Sequence, residues 1–305
     1  MIIKVQEEEN IETALYENGR DQIEKIFQDV KKGKSFSLNP VSEVISGIVD
    51  SLFAGDHLVR RALYSKTKGF DLPSHLLNVC IFATEIGIAL NYNRDDLERL
   101  GLAAIIHDIG MAGVPENIIK KPGKLNDEEF DTVKRHPEEG VKILNKFSED
   151  NLWISEIILQ EHERFNGRGY PKGLKGNEIH EFALIIGIAD VYEALTHHRF
   201  QRKNLPPFDS MKEILSAERA SFPEKVIKAL MSKLPVFPVG TIVRLNSKEI
   251  AIVVSTDSIS PFRPAVEILF DPQGRKPATR RKINLKENPL LYIISLVSEE
   301  DIHSQ

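Results

Sequence analysis

The sequence contains almost no cysteine. Its single thiol, Cys80, lies in the apolar stretch LLNVCIF, where core packing is the expected role, and one cysteine cannot form an internal disulfide bond. The N-terminal stretch MIIKVQEEEN turns acidic at once and lacks the apolar core of a signal peptide. Both absences favour a protein of the reducing cytoplasm.

Long apolar runs and an excess of one charge are also missing. The longest apolar run, Phe182 to Ala189, is far too short to cross a bilayer, so membrane insertion is not expected. The 40 basic and 45 acidic residues give a net charge of -5, which implies no general affinity for nucleic acid or anionic membranes. The 305 residues suffice for roughly two domains with a sizeable core.

Hydrophobic periodicity predicts a mainly α protein with a small C-terminal β unit. Residues 1–55 read as two helices, with apolar positions at three- and four-residue steps, and the helical pattern continues over 56–235. After Pro235 the segments become short and β-branched, which predicts a β extension at 236–305. The helical segments of the middle region lie near residues 74–91, 95–109, 127–147, 152–163, 180–196, 209–217 and 223–233.

The residues with chemical potential lie in the helical middle. Four histidines are placed in or at the end of predicted helices there, and Asp108 and Asp190 each interrupt a strongly apolar run. A buried carboxylate costs several kcal/mol unless it is paired or binds a metal. A single acid of this kind could be a salt bridge, but two acids with four histidines suit a site for iron, manganese or zinc inside a helical bundle. The histidines are His75, His107, His136 and His162.

The segment HERFNGRGYP, residues 162–171, adds an irregular loop directly after one of these histidines. Its glycines, asparagine and proline stop a helix and permit tight turns. Binding and catalytic groups concentrate in loops that a rigid scaffold supports, although a helix end followed by a surface turn is an equally ordinary interpretation of such a segment taken alone. Glu163 and Arg164 are expected to brace this loop.

These segments together resemble the HD-GYP family of the HD phosphohydrolase superfamily. HDIGMAGVPENIIKKPGKLNDEEF, KRHPEEGVKIL, HERFNGRGYPKGLKGNEI and ADVYEALTHHR follow in the family's order and spacing over about residues 70–235. The resemblance implies that residues 56–235 form an HD-type helical bundle. It also implies binding of two or three metals and hydrolysis of cyclic di-GMP to pGpG by a hydroxide bridged between the metals, with further cleavage to GMP left open. The β extension is similar to one that often follows this domain.

Carried over residue by residue, the resemblance implies a set of metal ligands. Asp108 would bridge two metals, and with His107 it would form the catalytic pair. Iron is the metal implied first, with manganese or zinc as alternatives. A third metal is left open, with Asp71 and Glu161 as candidate ligands, and Asp71 is equally suited to cap the helix that begins near Pro73. The implied metal ligands are His75, His107, Asp108, His136, His162 and Asp190.

The resemblance also implies a substrate pocket. Tyr170 and Gly169 would lie against the bound nucleotide, and Arg199 and Arg202 would hold its phosphates, for which a guanidinium is well shaped. Met111 stands where the family usually has a lysine that contacts substrate phosphate, so one positive charge is missing.

Two functions are compatible with this pattern. The first is a working cyclic di-GMP phosphodiesterase, which the retained ligands favour. The second is a catalytically weak or inactive signalling module that binds a cyclic dinucleotide or a protein partner. A cyclic dinucleotide is the expected small-molecule partner, with no nucleic acid polymer. A homodimer or a signalling protein bound at the N-terminal helices is a further hypothesis.

Overall fold

The computed structural model shows a mainly helical chain with one small antiparallel sheet near its C-terminus, which confirms the predicted fold class. The structure describes residues 2–64, 70–147, 152–200, 204–257, 259–277 and 279–297. The chain divides into two units, Met1–Leu230 and Met231–Gln305. The helices are α1 (Ile2–Lys31), α2 (Asn39–Ala54), α3 (His57–Tyr64), α4 (Leu72–Ala89), α5 (Arg94–Ile106), α6 (Glu116–Ile119), α7 (Asp127–Lys134), α8 (His136–Phe147), α9 (Leu152–Gln160), α10 (Glu181–Thr196), α11 (Pro207–Ser216) and α12 (Glu224–Lys233).

Helix α4 is the centre of the helical unit, and α1, α5 and α10 all pack against it. A helix that is apolar on every side is stable only when it is buried on every side. Among the described helices, α4 alone is long and apolar enough to cross a membrane, and 83% of it is buried inside the protein. Cys80 lies within it with no exposed surface, and burial raises the pKa of its thiol to about 12. Its predicted role in core packing is therefore confirmed.

Polar side chains fix where several helices begin, and therefore where their end residues lie. Asp71 caps α4 by accepting a hydrogen bond from the Ser74 amide at 3.1 Å. Asn93 caps α5 by accepting from the Asp96 amide at 2.9 Å. A capping side chain satisfies a backbone amide that has no partner within the helix. The Asp71 cap fixes the end of α4 at which His75 lies.

The second unit contains a five-stranded antiparallel sheet in the order β4-β3-β2-β1-β5. Val243 of β1 pairs with Ala251 of β2, and both side chains are fully buried on one face. The short charged strand β4 was not predicted, because RRKIN lacks the β-branched pattern of the other strands. The strands are β1 (Ile242–Leu245), β2 (Ile250–Ser255), β3 (Ala265–Phe270), β4 (Lys282–Asn284) and β5 (Ile293–Leu296).

The N-terminal helices belong to the same unit as the helical middle. Helix α1 packs against α2 and α4, and α2 packs against α5. The expected domain boundaries at residues 55 and 235 remain predictions.

Candidate metal centre

Five helices contribute to one cluster of histidines and acids. His75 lies in the first turn of α4, and His107 directly follows α5. His136 is the first residue of α8 and His162 follows α9, whereas Asp190 lies within α10. Asp108 begins the short 3-10 helix Ile109–Gly113. All six predicted ligands therefore come together, although they are spread over more than a hundred positions of the chain.

The side-chain nitrogens and oxygens converge on Asp108. Nε2 of His136 lies 3.0 Å from Oδ1 of Asp108. Nε2 of His107 lies 3.7 Å, and Nε2 of His75 3.9 Å, from Oδ2 of the same carboxylate. Burial alone would raise the pKa of Asp108, but His107 and His136 outweigh it and hold that pKa well below its usual range. Asp108 is thus an ionised carboxylate with imidazole nitrogens on both oxygens.

Backbone carbonyls orient two of these imidazoles. Nδ1 of His107 lies 2.7 Å from the Ala104 carbonyl oxygen, and Nδ1 of His136 lies 2.7 Å from that of Val133. Because a carbonyl oxygen only accepts, each Nδ1 carries the proton that it donates. Each Nε2 faces Asp108, and once deprotonated it offers its lone pair there, which is the arrangement usual for a metal-bound histidine.

Gly110 allows Asp108 and His136 to approach each other. A Cβ added at Gly110 would fall far inside the van der Waals radius of the His136 carbonyl oxygen. The 3-10 helix and α8 could not then pack as closely as they do. The glycine of HDIGM is therefore required by this backbone contact.

Two buried groups of the cluster lack hydrogen bonds among the described residues. Both carboxylate oxygens of Glu161 are buried without a hydrogen-bond partner, although Nε2 of His162 lies 2.9 Å from one of them. Nε2 of His75 is also buried without a hydrogen-bond partner, although it lies 3.3 Å from Oδ1 of Asp190. Buried polar atoms without hydrogen bonds are costly, and a cation between the nitrogens and the carboxylates would remove that cost.

Within the described residues, three overlapping groups have ligand atoms within 4.8 Å of one another. Asp108 belongs to two of them, and its two oxygens can serve two ions. His162 also belongs to two, but a single Nε2 binds only one ion. The donor set is therefore suited to binding metal, and Asp108 is common to two of the groups. The groups are His75, His107 and Asp108; Asp108, His136 and His162; and Glu161, His162 and Asp190.

The loop after α9 is held by a buried carboxylate. Glu163, with 1% of its surface exposed, accepts hydrogen bonds from the amides of Lys172 at 2.6 Å, Gly173 at 3.1 Å and Leu174 at 2.9 Å. Arg164 donates to the carbonyl oxygen of Glu161 at 3.0 Å. The prediction that Glu163 and Arg164 brace the loop is confirmed.

Tyr170 lies on the ligand His162. The two rings are stacked, with centroids 4.6 Å apart and planes inclined by 20°. Burial raises the pKa of the Tyr170 hydroxyl, so it stays protonated and can donate a hydrogen bond. A cavity of about 670 Å³ between this loop, α7 and α8 is lined in part by Tyr170 and Pro171. Tyr170 thus connects the metal cluster to an open space.

The other predicted site residues differ in how close they lie to the cluster. Nη2 of Arg199 lies 3.5 Å from Oδ1 of Asp190, at the edge of the cluster. Met111 is half-buried in the 3-10 helix that Asp108 begins. Asp71 caps α4 and belongs to none of the three ligand groups found among the described residues. Arg202 lies outside the described residues.

Sequence analysis missed Glu193. Its carboxylate is buried with 2% of the residue exposed, and Oε2 lies 2.6 Å from Nδ1 of His75. The available signal was its position three residues after Asp190, on the same face of an otherwise apolar helix.

Two family models match the chain. Residues 55–224 match the model described as HD domain, which is more than half of the sequence. Residues 242–305 match the model described as KOW domain associated with HD domain. The first match contains every residue of the metal cluster.

Several proteins and solved structures are similar to the chain. A cyclic di-GMP phosphodiesterase of Pseudomonas aeruginosa is 26% identical over 93% of this chain and 68% of its own length. A cyclic di-GMP phosphodiesterase of Thermotoga maritima is 38% identical over 55% of the chain, and a 3'3'-cGAMP-specific phosphodiesterase of Vibrio cholerae is 24% identical over 74%. The chain spans less than half of these last two, at 46% and 44% of their lengths. The structure of an HDG"Y"P protein from Bdellovibrio bacteriovorus has the same fold, with a TM-score of 0.61 and 17% identity over 73% of this chain and 71% of that one.

Proposed function

The chain belongs to the HD domain family, and we propose that it is a metal-dependent phosphodiesterase that hydrolyses cyclic di-GMP. The predicted resemblance to HD-GYP proteins is confirmed by the family match and by the relatives named cyclic di-GMP phosphodiesterases. One observation in the structure supports the proposal most: imidazole nitrogens approach both oxygens of the ionised, largely buried Asp108.

The residues present fit two divalent metals. His75, His107 and Asp190 would hold one ion and His136, His162 and Glu161 the other, with Asp108 shared. The free oxygens of Glu161 and the free Nε2 of His75 support this assignment. When bound, such metals make hydroxide available near neutral pH and offset negative charge on phosphoryl oxygens. Imidazole with carboxylate suits iron, manganese and zinc. Iron is proposed first because of the family resemblance, with manganese or zinc second.

The chain's own residues would bind and orient the nucleotide. The guanidinium of Arg199 lies at the rim of the cluster, where it can pair with a phosphate that approaches the metals. Tyr170 presents a ring and a protonated hydroxyl on the side of the cavity. Because Glu163 fixes the loop backbone, Tyr170 is held in place before substrate binds. Arg202 is proposed as a second phosphate contact by family resemblance.

Turnover of cyclic di-GMP by purified protein loaded with iron or manganese tests this function, with pGpG and GMP separated by chromatography. Asp108→Asn should lower turnover at least about 100-fold, since it removes the charge shared between the ions and a metal site of this kind contributes several kcal/mol to the rate. Asp50→Asn is the matched control, because Asp50 pairs at 2.6 Å with exposed Arg94 far from the cluster. Protein that binds metal and cyclic di-GMP but hydrolyses neither cyclic di-GMP nor 3'3'-cGAMP would be an inactive signalling module, contrary to the proposal.

The choice among cyclic dinucleotides is part of the same test. Two of the relatives are named for cyclic di-GMP and one for 3'3'-cGAMP. We expect cyclic di-GMP to have the higher kcat/KM when both are measured on one preparation. A higher value for 3'3'-cGAMP would reassign the substrate and leave the reaction class in place.

A further inference from the structure

Glu193 is a buried acid that the proposed metal site does not use. It lies one helical turn after Asp190 on α10, with 2% of its surface exposed. Oε2 is 2.6 Å from Nδ1 of His75 and 3.3 Å from Nη2 of Arg199. A carboxylate is retained in such surroundings only when it is well paired.

The geometry determines which nitrogen of His75 carries the proton. An ionised carboxylate only accepts, so Nδ1 at 2.6 Å from Oε2 must donate to it. Nη2 of Arg199 lies near both Nδ1 of His75 and Oε2 of Glu193. Because Nδ1 carries a proton and cannot accept, Arg199 donates to the carboxylate. The nitrogen available to a metal is therefore Nε2, which is the atom that faces Asp190 and Asp108.

His75 differs in this respect from two other ligands. His107 and His136 are oriented by backbone carbonyls, which no substitution removes. The orientation of His75 depends on a side chain contributed by a different helix. A carboxylate acceptor also makes the imidazole a stronger donor to a metal than a carbonyl acceptor does.

A buried chain of polar groups extends from Glu193 to the first helix. Nδ2 of Asn78 lies 3.4 Å from Oε1 of Glu193, and the Tyr16 hydroxyl donates to Oδ1 of Asn78 at 2.8 Å. Asn78 and Tyr16 have 1% and 4% of their surfaces exposed. Because the Glu193 carboxylate only accepts, the amide nitrogen of Asn78 is turned toward it, and the amide oxygen accepts from the Tyr16 hydroxyl. Helix α1 is thus connected to the candidate ligand His75 through the side chains of Tyr16, Asn78 and Glu193.

We propose that Glu193 is a positioning residue that fixes the orientation of His75 for metal binding, and that Asn78 and Tyr16 hold Glu193 in place from α1. This inference rests on the metal centre of the proposed function and adds to it a residue outside the ligand set. It places part of the support for the metal site on the N-terminal helix.

Metal affinity, measured without substrate, tests the role of Glu193. Metal-free protein is titrated with MnCl₂ by calorimetry, and its helical content is checked by circular dichroism. Glu193→Ala and Glu193→Asp remove or withdraw the acceptor and should weaken manganese binding about 10- to 100-fold. Glu193→Gln keeps an acceptor oxygen on a side chain of the same length and should retain most of the manganese affinity. If Glu193 acted only through its negative charge, Glu193→Gln would weaken binding as much as Glu193→Ala.

The matched control is Glu181→Ala, which removes a carboxylate from the first turn of the same helix, where it pairs with Lys225 at 2.8 Å. Its manganese affinity should equal that of the unmodified protein. Glu193→Asp and Glu193→Ala proteins that fold and bind manganese within about twofold of the unmodified protein would overturn the proposal. If the Ala protein does not fold, the comparison of Asp with Gln decides.

Tyr16→Phe tests the connection to α1. It removes one hydroxyl and should weaken manganese binding by a smaller factor, about two- to fivefold, because Glu193 remains present but less restrained. Tyr92→Phe, which removes a hydroxyl that bonds Glu181, should have no effect. Equal affinities for the two variants would overturn the role of Tyr16. Neither result depends on cyclic di-GMP hydrolysis, so a failure here is separable from a failure of the proposed function.

Discussion

At the scale of single residues, the site depends on glycines as much as on ligands. A Cβ at Gly169 would lie far inside contact distance of backbone atoms of His162, Glu163 and Arg164. The loop therefore folds back on the end of α9 only because position 169 has no side chain. Tyr170 is placed over His162 by the same fold-back.

We predict that Gly169→Ala displaces the loop. Overpacking against backbone should cost about 1–3 kcal/mol of unfolding free energy. Turnover should fall by about 100-fold, because Tyr170 and His162 lose their relative positions. Thermal unfolding and steady-state kinetics measure the two effects. Gly55→Ala is the control, since its Cβ would meet only His57, at 3.6 Å. Equal activity of the two variants would show that the loop tolerates a side chain at 169.

Because Met111 stands where the family usually has a lysine, the proposed phosphate site lacks one positive charge. Two lysines that could replace that charge are already paired, Lys120 with Glu116 at 2.5 Å and Lys121 with Glu129 at 2.6 Å. A charge-assisted hydrogen bond contributes roughly 1.5–3 kcal/mol, or about one to two powers of ten in a rate or binding constant.

We therefore predict that Met111→Lys raises kcat/KM for cyclic di-GMP by about ten- to a hundredfold. Met111→Leu, which changes neither size nor charge appreciably, should behave like the unmodified protein. Kinetics on preparations of equal metal content provide the comparison. Unchanged or lower activity in a stable, fully loaded Met111→Lys protein would mean that the missing charge does not limit this enzyme.

At the scale of elements, helix ends place the ligands. His75, His107, His136 and His162 all lie within one turn of a helix terminus. A helix end can approach another helix more closely than a helix face can, because the chain turns away there. At one of these ends, that of α4, the Asp71 cap defines where the helix begins.

Asp71 can be tested as a cap or as a metal ligand. We predict that Asp71→Ala lowers the unfolding free energy by about 1 kcal/mol through loss of the α4 cap and leaves the number of bound metals unchanged. Asp71→Asn, which keeps an acceptor for the Ser74 amide, should retain most of the stability. Denaturant unfolding and elemental analysis give the two readouts. Loss of one metal equivalent from a folded Asp71→Ala protein would instead make Asp71 a ligand of a third metal.

At the scale of the molecule, the metal cluster belongs to the helical unit alone. All its residues precede Leu230, and the second unit contains no histidine among its described residues. The membership of residues 242–305 in a different family model agrees with this division. A homodimer, a protein partner and a cytoplasmic location remain predictions.

We predict that a chain truncated after Pro235, which keeps α12 complete, retains its metals and its helical circular dichroism spectrum. The reason is that every candidate ligand and its orienting partner lies before that point. Elemental analysis of the truncated and full-length proteins makes the comparison. Loss of metal from a truncated chain that is still helical would show that the β unit supports the site.

The sequence alone determined the fold class, the family and the six ligand candidates, because helix periodicity, turn residues and motif spacing are local properties of the chain. It could not decide whether Asp71 is a cap or a ligand, since both uses require the same residue before a helix. Nor did it reveal Glu193, whose role depends on the crossing of α10 and α4. Which buried acid meets which imidazole was decided only by the packing of helices far apart in sequence, because contacts between helices depend on their relative placement.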